Sequence, residues 1–330
     1  MIHATELETA RLAVESGADI LAHSVFDTDV DDAFLTLLQK NRTIYCPTLL
    51  VVGNYGYTFH GTPHLTGVDI RYANPDVVGT LFAMPDVEGA LPADRLERIR
   101  QLRVPEPPRA AMRNLKRVHR AGIHVAAGTD AGNIGTQHAS SLYAEALAMV
   151  ESGLSPRDVL ITATRNGAQM MGRERDLGTI ARGKLADLVL LRDDPTGDIG
   201  AIASIEIVIA DGRAYRADSI LDETPEQIVQ RQVNAFNLHD AAVFAETFAP
   251  GARVVRNGQT VATGRSQIAS LYAGRFAQTP ELRATTLSRE VRGNTVVDRE
   301  RLTGLPNDVE AQVTYTVVGG TIAAAAILTG

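Results

Sequence analysis

The sequence predicts an α/β fold over its first two-thirds and an α+β fold over the rest. Two observations carry the first part. A unit of short apolar strand, amphipathic helix and Gly or Asn stop recurs from Met1 to Asp130, which is the pattern of parallel β/α architecture. A histidine or an aspartate then stands at the carboxyl end of three of these strands, as His3, His23 and Asp130. The second part rests on order: from Thr224 onward helices come first and long strands follow.

The elements follow in turn. Ile2 and His3 read as the end of a strand, and Thr5-x-x-Glu8 as a capping box. The helix behind it turns Leu7, Ala10, Ala13 and Val14 inward and stops at Gly17. Ala18–Ala22 is the next strand, with His23 after it. Asp29–Asn41 is a helix with Leu37 and Leu38 on its inner face and Asn41 as its left-handed stop. Thr43–Cys46 is a strand closed by Pro47. Gly53–Pro107 is long and irregular, with aromatics, prolines, His60 and His64. Such a stretch serves as a lid, a substrate loop or a place with its own helices, and Asp76–Phe82 and Ala93–Leu102 read as helical. Pro108 opens a helix with Met112, Leu115 and Val118 on one face. Gly122 ends it, and Ile123–Ala127 is a buried strand leading to Gly128 and Asp130.

Helices follow at Ser141–Ser152 and Pro156–Met171. Leu188–Leu191, Ile205–Ala210 and Arg213–Tyr215 form a small β-unit with Asp211-Gly212 as a hairpin turn. The polar, acidic stretch 217–223 reads as a linker between a domain over 1–216 and one over 224–330. Thr224-Pro225-Glu226-Gln227 starts a helix to about Asn237, and Asp240 caps a shorter one. Asn257-Gly258 is a second hairpin signal. Arg265–Phe276 is helical, and strands follow at Leu282–Val291, Thr295–Arg301, Val309–Val318 and Thr321–Leu328.

Composition excludes several classes of function. The 330 residues carry a formal net charge of -7 and no basic run, so a nucleic acid is not an expected partner. No stretch is long and apolar enough to span a membrane, and MIHATELETA does not read as a signal peptide. Cys46 is the one cysteine. It excludes an internal disulfide and an all-cysteine metal site, and assigns no compartment.

Taken singly, a polar residue after an apolar run is a turn former or a cap. Three of them at the carboxyl ends of parallel strands lie on one face, where such folds hold their active sites. Two imidazoles and a carboxylate suit a divalent metal such as Zn, with Asp130 also able to accept a proton from water. His124, at the start of its strand, reads as structural, and Asn133 and Gly135 as loop-shaping.

The segments HATELETA, ILAHS, GTDAGNIGTQH, SPRDVLITATRNGA and LGTIARGKLADLVLL resemble the second half of the metal-dependent amidohydrolase superfamily, especially its imidazolonepropionase- and prolidase-like branch. The resemblance runs from Met1 to about Tyr215. It implies a (β/α)8 TIM-type barrel, of which this chain carries strands five to eight, with a small β-sandwich element. It matches His3 to the metal ligand after strand five, His23 to the ligand after strand six, and Asp130 to the ligand and catalytic base after strand eight. One or two divalent ions, Zn foremost, are implied. His138, His60 and His64 are candidates for substrate contact. The family also uses an H-x-H pair on strand one and, in many members, a carboxylated Lys on strand four. Neither is present, so the chain is expected to be a fragment, or to start downstream of the true start, and to be inactive alone.

Thr224–Gly330 resembles the NTF2-like (SnoaL-like) fold, on its opening helix, NLHDAAVFAETFAPGA and the final long strands. That implies a curved sheet around an apolar pocket, and a homodimer through this domain. The sequence offers no isolated acid as a base inside the pocket. The expected function is metal-dependent hydrolysis of C–N bonds in a small-molecule substrate. The alternative is a non-catalytic remnant whose second domain serves dimerisation or binds a small apolar ligand.

Overall fold

The computed structural model describes residues 1–84, 92–94, 97–98 and 109–329. They form two compact units, one of Met1–His60 with Leu91–Leu221, the other of Gly61–Ala90 with Asp222–Gly330.

In the first unit β1 (Ile2–His3), β2 (Ile20–Ala22) and β3 (Ile44–Cys46) form a parallel sheet in sequential order. Ile2 lies opposite Leu21, and Ile20 opposite Ile44. The run Ile123–Ala127 extends this array by a single parallel bridge between Tyr45 and Val125, rather than as a full strand. Its far side is closed by a helix instead of another strand. The helix over Pro156–Met170 contains a π segment, Thr162–Asn166, where Thr162 O accepts Ala127 N–H at 3.2 Å and Asn166 Nδ2 donates to Val125 O at 2.8 Å. A π turn frees backbone groups for such uses.

Helices α1 (Leu7–Glu15), α2 (Asp32–Asn41), α3 (Val51–Phe59), α6 (Arg109–Arg120) and α7 (Ser141–Glu151) belong to this unit, whereas α4 (Gly67–Tyr72) and α5 (Pro75–Ala83) belong to the second. Val14, Leu21, Phe34, Leu38, Tyr45, Leu115 and Met149 form the first core. Two helix ends differ from expectation by a residue or two. The Thr5–Glu8 capping box does not form: α1 starts at Leu7, whose N–H is taken by Asp27 Oδ1 at 3.0 Å. The left-handed stop of α2 is Arg42, not Asn41, because Asn41 turns its side-chain amide back to Leu37 O. The helix expected over 93–102 falls largely outside the described residues. β4 (Leu188–Leu191), β5 (Ile205–Ala210) and β6 (Arg213–Arg216) make an antiparallel sheet. Its Asp211-Gly212 turn has φ of 48° and 74°, as a type I′ hairpin requires.

The second unit includes α4 and α5, which the sequence places in the first domain. Apolar burial is the reason: Ile70, Ala73, Val78 and Leu81 share a core with Ile228, Val229 and Val233 of α8 (Pro225–Leu238). Thr224 and Gln227 cap α8 reciprocally, and Asp240 caps α9 (Ala241–Glu246). β7 (Phe248–Arg256), β8 (Gln259–Thr263), β9 (Arg283–Arg292), β10 (Thr295–Thr303), β11 (Val309–Val318) and β12 (Thr321–Thr329) form one sheet in the order 8-7-12-11-10-9. Helices α8, α9 and α10 (Gly264–Gln278) meet through Phe236, Phe244, Tyr272 and Phe276, with Phe248 of β7 against Phe244, the rings edge-on or tilted. Among the described residues no helix is long and apolar enough to cross a membrane.

Candidate functional site

Each turn at the end of β2, of β3 and of the Val125 bridge contains a non-glycine residue in the left-handed region: His23 at φ 74°, Thr48 at 42° and Asp130 at 55°. L-residues avoid this region at a cost of about 1–3 kcal/mol each, and such strain clusters at functional sites. The β2–β3 ladder continues past the first turn, with His23 N–H to Cys46 O at 2.9 Å and Ser24 N–H to Pro47 O at 2.8 Å. The turn is therefore held on both sides.

The structure sets two of the three predicted ligands, His23 and Asp130, facing each other, and the third, His3, beside His23. His23 is buried, its Nδ1 lies 2.5 Å from Thr48 Oγ1, and its Nε2 lies 3.8 Å from Asp130 Oδ2. The His3 ring stands edge-on to the His23 ring, centroid to centroid 4.2 Å. Burial, and next the neighbouring His3, push the His23 pKa down, with the Asp130 carboxylate opposing. The ring is neutral near pH 7, which is the form a metal binds. In the tautomer that donates from Nδ1 to Thr48, the Nε2 lone pair faces Asp130, an arrangement typical of a metal-ligating imidazole.

A gap of 3.8 Å is too long for a hydrogen bond. It is within the ~4.2 Å that two ligands, each about 2.1 Å from one zinc, can span. His23 and Asp130 thus fit one ion between them. The set is incomplete, however: among the described residues no group of three or more His, Cys, Asp or Glu could hold a metal ion. His3 contributes proximity without closing a three-donor cluster.

The loop after Asp130 is shaped by its small residues. A Cβ on Gly128 would lie 2.4 Å from Cys46 Sγ, so only glycine lets the chain pass β3. Asn133 Nδ2 donates to Asp130 O at 3.0 Å, and Tyr55 OH donates to Asn133 Oδ1 at 2.5 Å. Gly135, at φ 80°, sits so close to α3 that a Cβ would be 2.8 Å from Asn54 O. The expected loop-shaping role of Asn133 and Gly135 therefore has a physical basis. His138 lies in the same loop, its Nε2 3.3 Å from where a Gly132 Cβ would be. His60 ends α3 with its Nδ1 2.7 Å from Gly56 O, and His64 is in the second unit. His124 bonds Gln169 at 2.5 Å.

Two residues of this region carry no sequence signal. Thr48 supports His23 from 25 positions away. Glu145 of α7 is 1% exposed and accepts the N–H groups of Leu49 and Leu50 at 2.8 and 3.3 Å, which fixes the segment after β3. Burial pushes its pKa up to about 8. Burial, with the charges of Glu145 and Asp130, likewise pushes the Cys46 thiol up to about 12, so it is an inert filler.

The second unit buries two acids of β10, of which Glu300 lines its pocket, and both are paired, so neither stands as an isolated base. Asp298 and Glu300 point inward from β10, Asp298 in a bidentate pair with Arg289 at 2.7 and 2.6 Å, Glu300 accepting from Tyr315 OH at 2.9 Å. Period-two alternation over Val296, Asp298, Glu300 and Leu302 was the signal that places both acids on the inner face.

Comparison with known proteins bears on both units. Residues 92–215 match the amidohydrolase family and residues 229–325 the SnoaL-like domain. An imidazolonepropionase of Aromatoleum aromaticum is 44% identical over 94 residues, 28% of this chain and 21% of that protein. Adenine deaminase 3 of Rhizobium meliloti is 31% identical over 175 residues, 46% of this chain and 27% of that protein. The chain spans only about a quarter of the length of these curated relatives. A crystal structure of a Xaa-Pro dipeptidase with methionine in its active site aligns at 24% identity and a TM-score of 0.46, over 65% of this chain and 44% of that one. The chain carries an amidohydrolase-family segment, with imidazolonepropionase-like relatives, followed by a SnoaL-like domain.

Proposed function

We propose that the first unit supplies part of the active site of a metal-dependent hydrolase of C–N bonds, in an amide, cyclic amide or peptide-like small molecule. In this reading the parallel array corresponds to strands five to eight of a (β/α)8 barrel. The observation that carries it is the facing pair His23 Nε2 and Asp130 Oδ2, 3.8 Å apart at the ends of parallel strands, with the His3 ring beside them. The amidohydrolase match over 92–215 supports it.

His23 and Asp130 would hold a divalent ion, Zn foremost, with His3 adjacent. When bound, such an ion acidifies water toward pKa ~7 and polarises a carbonyl. With Nδ1 donating to Thr48 Oγ1, the His23 ring would keep its Nε2 lone pair free for the ion. Asp130, with 44% of its side chain exposed, would take up the proton of an attacking water and pass it to the leaving nitrogen. His138, in the same loop, faces arriving substrate. Hydrolysis is assigned to a polypeptide that supplies further donors; this chain alone binds the ion and turns nothing over.

The test is zinc uptake by equilibrium dialysis for the chain and for His23→Ala and Asp130→Ala, with circular dichroism as the control for folding. Each substitution is expected to weaken uptake at least tenfold. Equal uptake by all three overturns the reading. The open donor set favours a second reading, a non-catalytic remnant serving through its SnoaL-like domain. No zinc uptake by the wild-type chain would favour it.

A further inference from the structure

Inside the second unit lies a cavity of about 60 Å³, enclosed by helices α8 and α10 and the concave sheet. Most of its wall is aliphatic and aromatic, with Phe236 among the lining residues. Its polar atoms are unusual. Arg256 and Arg275 both line it, and among the described residues neither has a carboxylate within ion-pair distance. Arg275 Nε and Gln232 Oε1 are buried with no hydrogen-bond partner, and Gln232 is only 6% exposed. The acids nearby do not neutralise the pair: Asp298 is taken by Arg289, and Glu300 by the Tyr315 hydroxyl.

Two guanidinium groups together in an apolar wall are costly unless an anion joins them. The planar fork of arginine matches a carboxylate. An unpaired amide oxygen in the same cavity calls for a donor on the ligand. The volume limits size: at ~10–15 Å³ of such space for each water-sized group, the cavity holds about four to six heavy atoms. We infer that this cavity binds a small hydroxycarboxylate of two or three carbons, its carboxylate on Arg256 and Arg275 and its hydroxyl donating to Gln232 Oε1. The site is separate from the histidines and aspartate of the first unit and does not depend on their reading. Consistent with it, burial and the neighbouring Arg256 push the Arg275 pKa down, the effect an anion would reverse.

The test is isothermal titration of the full chain with lactate, propionate and lactamide. Saturable binding is expected for lactate, at least fivefold weaker binding for propionate, and none for lactamide. Arg275→Leu is expected to abolish lactate binding and Arg275→Lys to retain part of it, with thermal melting to confirm that both fold. Lactamide binding as tightly as lactate, or no saturable binding of either acid by the wild-type chain, overturns the inference. So does lactate binding unchanged in a folded Arg275→Leu.

Discussion

At the scale of single residues, the first site turns on a hydroxyl that no motif announces. Thr48 Oγ1 is the hydrogen-bond partner of buried His23 Nδ1, at 2.5 Å. Thr48→Val keeps the β-branched shape and the left-handed backbone and removes only the hydroxyl. Leaving the buried imidazole nitrogen unpaired costs about 1–3 kcal/mol, which urea unfolding would register. Because the tautomer is no longer fixed, zinc affinity is expected to fall roughly 10–100-fold. Unchanged zinc affinity with reduced stability would mean that Thr48 serves packing alone. His3, His23 and Asp130 were legible in the sequence because each ends an apolar run. Thr48 and Glu145 were not, because their partners lie 25 and about 95 positions away and nothing local marks the pairing.

At the scale of elements, the crossing of β3 by the strand before Asp130 is governed by Gly128. Its backbone is ordinary, so the constraint is steric: a methyl there would meet Cys46 Sγ at 2.4 Å. Gly128→Ala is expected to destabilise the chain by about 1–3 kcal/mol, the cost of overpacking a core. Truncating the opposing sulfur should recover most of that loss, so Gly128→Ala with Cys46→Ala forms a double-mutant cycle with a favourable coupling. Additive losses would show that the two side chains do not compete for the same space. Most elements were legible from periodicity and punctuation. Gly122 takes φ 74° at the end of α6, and the Asn257-Gly258 turn takes 47° and 79°. What punctuation could not show was ownership. Residues 76–82 read as a helix in an irregular stretch of the first domain, yet the apolar faces of α4 and α5 complete the core of the second. A hydrophobic face records that it is buried and not against what.

For the whole molecule, the pH dependence of stability follows from two buried carboxyls, one in each unit. Burial raises Glu145 to about 8 and Glu300 to about 7, against an ordinary 4.5. Each keeps its proton in the folded chain at a pH where the unfolded chain has released it. Folded molecules therefore bind more protons between 4.5 and about 8 for Glu145, and between 4.5 and about 7 for Glu300. Stability must fall as pH rises through those windows, by up to about 1.4 kcal/mol per pH unit for each group, and level off above them. Two imidazoles, buried His23 and half-buried His239, act in the opposite sense: both have lowered pKa values, so their contribution is lost as pH falls below 6.5. The net decline should therefore be clearest from pH 6.5 to 8. Glu145→Gln and Glu300→Gln keep an acceptor for the Leu49 N–H and the Tyr315 hydroxyl respectively but cannot ionise. In urea unfolding followed from pH 5 to 9, each variant is expected to show a shallower decline than the wild-type chain, and the double variant to show almost none. A wild-type profile that rises between pH 6.5 and 8 would mean that both carboxyls ionise inside the folded chain, each stabilised as an anion by its hydrogen-bond donors.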